Sequence, residues 1–120
     1  MAKFELESGE DKIDTWTIMY IAPNRNKFNG KLTVTDKRLI YDAQFDMSME
    51  GIIGQAFLLQ TDSGPVISIP KSSIKAVDME KKFFSKKVIV TLDDGTVHTF
   101  NYGMLPVGKV FEAVKMGCSL

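Results

Sequence analysis

Two β-type runs around an Asp-Asp-Gly turn constrain this chain more than any other feature. Val88-Ile89-Val90-Thr91-Leu92 is rich in β-branched residues, Asp93-Asp94-Gly95 supplies turn chemistry, and Thr96-Val97-His98-Thr99-Phe100 resumes the β pattern. The stretch reads as an antiparallel hairpin. Runs of the same kind recur upstream at Thr15–Ile21, Lys31–Thr35, Arg38–Phe45, Val66–Ile69 and Ile74–Glu80. Asp36-Lys37 makes a tight turn between two of them, and Pro70 closes another at an edge or strand end. Lys81–Lys87 is a charged bend. Asp46–Gly64 stands apart: it is apolar but interrupted by Gly51 and Gly54, and it reads as a short helix followed by a strand ending at Thr61–Gly64.

The period changes once. After Pro106, the residues Val107, Val110, Phe111 and Val114 recur at helical spacing, with Lys109, Glu112 and Lys115 on the other side. Pro106 suits the first turn of a helix and Gly117 its end. The sequence therefore predicts about seven short antiparallel strands followed by one amphipathic helix. A bent sheet has an open end, and this helix would plug it, with about 1.5–3 kcal/mol from each buried apolar side chain. The 120 residues make one domain, 1–120, in which the acidic, weakly patterned residues 1–14 are a loosely ordered lead-in.

Composition excludes several classes of function. Fifteen basic and fifteen acidic residues leave a formal net charge of +0, so no global field recruits nucleic acid or an anionic membrane, and any electrostatic recognition must come from local asymmetry. One cysteine, Cys118, and one histidine, His98, make neither a disulfide nor a zinc site and suit a reducing cytoplasm. No metal and no cofactor is expected. The charged N-terminal stretch argues against a secretory signal, and no apolar run is long enough to span a bilayer. Catalysis lacks its parts. No serine lies in a nucleophile-elbow string, Gly51-Ile52-Ile53-Gly54 lacks the lysine of a phosphate loop, and Asp93-Asp94 is turn chemistry. His98 reads as a surface or half-buried strand residue. The chain is expected to be no enzyme and to take no small-molecule substrate.

Three strings in order carry a family resemblance. Gly30-Lys31-Leu32-Thr33-Val34-Thr35-Asp36-Lys37-Arg38-Leu39-Ile40-Tyr41 is similar to the hairpin of the GRAM branch of the PH-like superfamily. Ile67-Ser68-Ile69-Pro70-Lys71-Ser72-Ser73-Ile74-Lys75-Ala76-Val77 resembles that family's strand, polar link and isoleucine, and Asp94–Phe100 its late hairpin. The resemblance spans residues 15–116 and departs at Asp46–Gly64, where simpler relatives have a short loop. It implies a PH-like bent antiparallel barrel capped by a C-terminal α-helix, working as a binding module.

Three surface features are candidates for what is bound. Lys81, Lys82, Lys86 and Lys87 flank Phe83 and Phe84. Either the phenylalanines enter a lipid interface while the lysines meet phosphate headgroups, or one phenylalanine turns inward and the lysines keep the edge soluble. The second is expected. Arg25, Lys27 and Lys31 lie where PH-like domains that bind phosphoinositides carry basic residues, but Asn24, Asn26 and Asn29 make an ordinary turn the favoured reading. Arg38 is expected to pair with a carboxylate. The apolar segment with Met47, Met49, Ile52, Ile53 and Phe57 either packs on its own domain or docks a protein partner or second copy. The leading expectation is a cytoplasmic module acting through protein contacts or self-association. Its rival is a domain peripheral to an anionic membrane, and an apolar-ligand carrier ranks last because a barrel this small is filled by its own side chains.

Overall fold

The computed structural model describes residues 6, 8–43, 45, 51–61 and 64–118. Among them the fold is mainly β with a single C-terminal helix, as the hydrophobic periods require. The strands are β1 (Lys12–Ile21), β2 (Lys27–Thr35), β3 (Arg38–Asp42), β4 (Phe57–Thr61), β5 (Gly64–Pro70), β6 (Ile74–Lys81), β7 (Lys86–Leu92) and β8 (Val97–Asn101). A 3-10 turn at Lys71–Ser73 joins β5 to β6, and α1 (Gly108–Lys115) closes the described chain. All eight strands form one antiparallel sheet in the order β4-β5-β3-β2-β1-β8-β7-β6.

Two expectations need correction. The described residues hold eight strands where about seven were expected, and β4 is the strand expected toward the end of the glycine-interrupted segment. The sheet is also not closed into a barrel, because β4 and β6 are its two ends and no ladder joins them. It is nevertheless strongly curled, as one connection shows. In a flat sheet β5 and β6 would lie six spacings apart, about 29 Å at ~4.8 Å each. The link from Pro70 to Ile74 reaches at most about 15 Å at ~3.8 Å per Cα step. Only a sheet folded over on itself lets so short a link connect them. The link is pinned on both sides: the Lys71 amide donates to the Lys37 carbonyl at 2.9 Å, and Ser73 accepts from the Asp93 amide at 2.9 Å.

The concave face holds the core. Ile18 and Tyr20 from β1, Leu32 and Val34 from β2, and Val88, Val90 and Leu92 from β7 alternate inward. Tyr20 sits at the centre of an aromatic cluster with Phe28, Tyr41, Phe45, His98 and Phe100. Gly30 permits the close crossing of β2 and β3: a β-carbon there would lie 2.1 Å from the Asp42 carbonyl oxygen.

Helix α1 presents Val110, Ala113 and Val114 to the core, and Val107 is buried at its start. Phe111 packs against the core while only partly buried, with the Lys115 ammonium 5.1 Å from its ring centroid. Pro106 precedes the cap residue Val107 rather than standing in the first turn. Gly117, at φ +82°, ends the helix against Asp36, whose carbonyl oxygen would lie 2.6 Å from a β-carbon there. The buried Lys71 caps that end, its Nζ donating to the Ala113 carbonyl at 2.9 Å and to that of Met116. Burial lowers the Lys71 pKa, and Cys118 and Asp36 oppose that shift.

The expected lead-in is tied down over its last residues. β1 begins at Lys12, not Thr15, because residues 12–14 pair with the end of β2 across a bulge. Glu10 is buried and takes Arg38 in a two-pronged ion pair, Nε at 2.8 Å and Nη2 at 3.0 Å, while Thr35 Oγ1 donates to it at 2.6 Å.

Candidate functional site

The β6–β7 hairpin pairs as far as Lys81 opposite Lys86, and the Lys82 amide then donates to the Ser85 carbonyl at 2.8 Å. That leaves Phe83 and Phe84 as the two tip residues. A side chain beyond the last pair of a two-residue connection has no core within reach, so both rings point to solvent, 75% and 72% exposed. They cover only each other, with ring centroids 4.6 Å apart. The expectation that one of them caps the barrel is therefore corrected. Lys81 and Lys82 are exposed beside the rings, and Lys86 and Lys87 are half-buried at the returning strand. Of the nearby acids, Glu80 approaches Lys82 at 3.6 Å, a solvent-exposed pair that offers little opposing stabilisation.

Lys87 also belongs to a second feature. A basin of about 490 Å³ on the outer face of the sheet is lined by Arg25 and Lys27 from the β1–β2 turn, Lys87 from β7 and Glu80 from β6, over a floor that includes Ile89 and Thr99. The fold thus brings together basic residues that lie 60 positions apart in the chain. Arg25 holds φ +72°, a left-handed conformation that costs a side-chain-bearing residue roughly 1–2 kcal/mol. The turn around it is fixed by the Arg25 amide donating to the Ala22 carbonyl at 2.8 Å and the Ala22 amide donating to the Asn26 carbonyl at 2.9 Å. Lys31 is not part of this basin. It lies four residues further along β2, about 13 Å at ~3.3 Å per residue, and stands opposite Asp42 on β3.

Other singled-out residues prove structural. Arg38 is committed to Glu10, as expected. His98 is fully buried rather than at the surface or half-buried. Its Nδ1 lies 2.7 Å from the Tyr20 hydroxyl, and its Nε2 has no hydrogen-bond partner of good geometry, although the Ile53 carbonyl faces it. Desolvation pushes its pKa down to about 4, against the smaller opposing pull of Asp94 and that carbonyl. The ring is neutral and shielded from solvent.

The apolar segment divides. Met47 and Met49 lie outside the described residues. Ile53, 2% exposed, packs into the core with Ala56 and is not available to a partner; Ile52 is half-buried. The reason is a contact remote in sequence: Gln55 accepts from the Asp94 amide at 2.9 Å, which draws this segment over the β7–β8 turn. Gly54 fits there only without a β-carbon, which would lie 2.4 Å from Asp94 Oδ2. Phe57, 57% exposed on the end strand β4, remains at the surface.

Sequence reasoning missed Met104 and Leu105, which are 62% and 55% exposed in the β8–α1 connection. The signal was present: Gly-Met-Leu-Pro places two large apolar residues between two breakers, with no strand or helix to absorb them. No helix among the described residues is long and apolar enough to cross a membrane.

No protein-family model matches the chain, and no curated protein matches it in sequence. Among solved structures it is similar to the C-terminal domain of an unknown protein from Leishmania infantum, with a TM-score of 0.65 and 15% identity over 92% of this chain and 85% of that one. At that identity the likeness speaks for the fold.

Proposed function

We propose that this chain is a non-catalytic binding module of the GRAM, PH-like type that attaches peripherally to anionic membrane surfaces through its β6–β7 hairpin. The observation that carries the reading is the solvent-facing Phe83–Phe84 pair flanked by Lys81, Lys82, Lys86 and Lys87. Exposed aromatic rings lose water contact in the interfacial layer of a bilayer, while lysines near an anionic surface contribute about 1 kcal/mol each. The Arg25, Lys27 and Lys87 basin adds a place for a phosphate group beside that contact. Binding of this size is reversible and depends on salt.

Co-sedimentation with anionic and neutral vesicles at low and high salt tests the reading. Salt-sensitive binding to anionic vesicles alone, lost in Lys86→Glu/Lys87→Glu, is the expected result. Absence of binding to either vesicle rejects it.

A protein partner or a second copy is the second reading, and the observation that favours it is Phe57, exposed on the uncharged strand β4. Sedimentation velocity of the free protein separates the two. Self-association through an apolar face persists at high salt, whereas lipid binding weakens.

A further inference from the structure

We propose that the Tyr102–Leu105 turn is a second apolar membrane contact, acting beside the β6–β7 hairpin, so that the domain meets the bilayer on two adjoining loops and not on one tip. The inference rests on the membrane reading above and goes beyond it in naming the surface and fixing how the domain is oriented.

Three observations join the loops. The Lys86 amide donates to the Gly103 carbonyl at 2.8 Å, and the Tyr102 amide donates to the Lys86 carbonyl at 2.9 Å. The loop therefore continues the β7–β8 ladder past Asn101 and runs along the hairpin toward its tip. The Lys86 ammonium also donates to the Met104 carbonyl at 3.2 Å, which holds a cation directly beside the turn. Phe84 lies two residues from Lys86 along one loop, and Met104 one residue past Gly103 along the other.

The turn is built to project. The Leu105 amide donates to the Tyr102 carbonyl at 3.2 Å, with Gly103 at φ +65° in the second position. Met104 stands at the apex, and Pro106 follows before the chain enters the core at Val107. Four large apolar side chains, Phe83, Phe84, Met104 and Leu105, thus emerge from two hydrogen-bonded loops with lysines among them. Apolar tips interspersed with cations complement an anionic bilayer, whose interface offers apolar depth below a negative surface. A protein partner of that chemistry would need an acidic rim around an apolar socket. The bilayer supplies both without further specification and is the occupant to which we commit.

The test uses vesicles of phosphatidylserine and phosphatidylcholine. Met104→Ser/Leu105→Ser should bind about five- to tenfold more weakly than the native chain, comparable with Phe83→Ser/Phe84→Ser. A second measurement needs no variant: peroxide oxidation of the native chain, followed by mass spectrometry of each methionine. Vesicles should protect Met104 and leave Met116, 56% exposed at the end of α1, as reactive as in free solution. If the native chain binds but Met104 oxidises at an unchanged rate, or the double serine variant binds as tightly, the two-loop contact is wrong and the hairpin reading survives. If the native chain binds no vesicle, both are wrong.

Discussion

Acidification should unfold this protein earlier than its carboxylates alone require, and His98 is the reason. The ring is buried with Tyr20 as its hydrogen-bonding partner, and its pKa falls from 6.5 to about 4. In the unfolded chain it takes up a proton near pH 6.5; in the folded chain it resists until about pH 4. The unfolded state therefore binds more protons across this window, and stability falls as pH drops through it. The linkage amounts to about 2 kcal/mol at pH 5 and about 3 kcal/mol at pH 4. For a domain of this size that lowers the urea midpoint by about 1–2 M. Asp94 acts elsewhere: the Thr96 amide and hydroxyl hold its carboxyl below the ordinary range, so its contribution disappears only at lower pH. The assay is urea unfolding at pH 7.5, 6, 5 and 4.5, comparing the native chain with His98→Gln by slope and not by absolute stability. Because the chain has one histidine, its imidazole proton resonance can also be followed without ambiguity. The reasoning is refuted if His98→Gln loses stability between pH 6.5 and 5 as steeply as the native chain, or if the resonance titrates near 6.5 in the folded state.

Three further outcomes follow from the geometry. Gly30→Ala should destabilise by about 1–3 kcal/mol, because its β-carbon meets the Asp42 carbonyl, a backbone atom that moves only with the strand; thermal and urea midpoints measure it. Arg25→Gly should raise stability by about 1 kcal/mol by relieving the left-handed strain, while weakening binding to anionic vesicles, so the two assays should move in opposite directions. Glu10→Ala should cost about 1–3 kcal/mol by removing the carboxylate that accepts from Arg38 Nε and Nη2 and from the Thr35 hydroxyl. A loss below about 1 kcal/mol would show that the lead-in contributes little to the fold.

The β architecture was legible because alternation is a local property. Val88–Leu92 carries its facing in its own residue order, burying Val88, Val90 and Leu92. Val88 to Phe100 and Leu32 to Tyr41 both pair as antiparallel neighbours, but the half-buried alternation expected of Lys31–Thr35 gives way to unbroken burial over 32–35 and 38–41. The open seam was not legible, since closure depends on whether β6 reaches β4, a relation between strands remote in sequence. Ile53 shows the same limit from the other side. Nothing in Gly51–Phe57 reveals that Gln55 will bond to the β7–β8 turn and carry Ile53 into the core. At the candidate site the lysines and phenylalanines were visible, but their direction was not. That direction depends on loop length: a connection of two residues exposes both rings, and one of four or five would let one fold back.

Net charge is a poor guide to such a surface, and screening explains why. At physiological ionic strength a charge is felt over about 8 Å, so a bilayer responds to the groups pressed against it and not to the chain as a whole. A formal charge of +0 is then compatible with anionic binding, provided the acids lie elsewhere. Here the tip carries Lys81, Lys82, Lys86 and Lys87 with Glu80 as the adjoining acid, while Lys109 and Lys115 ride on α1 beside Glu112. Reversing Lys86 and Lys87 to glutamate and reversing Lys109 and Lys115 change the net charge by the same amount. If proximity governs, only the first pair abolishes vesicle binding. Equal losses from both pairs would mean that the membrane senses the whole molecule, and the hairpin would lose its special place in the argument.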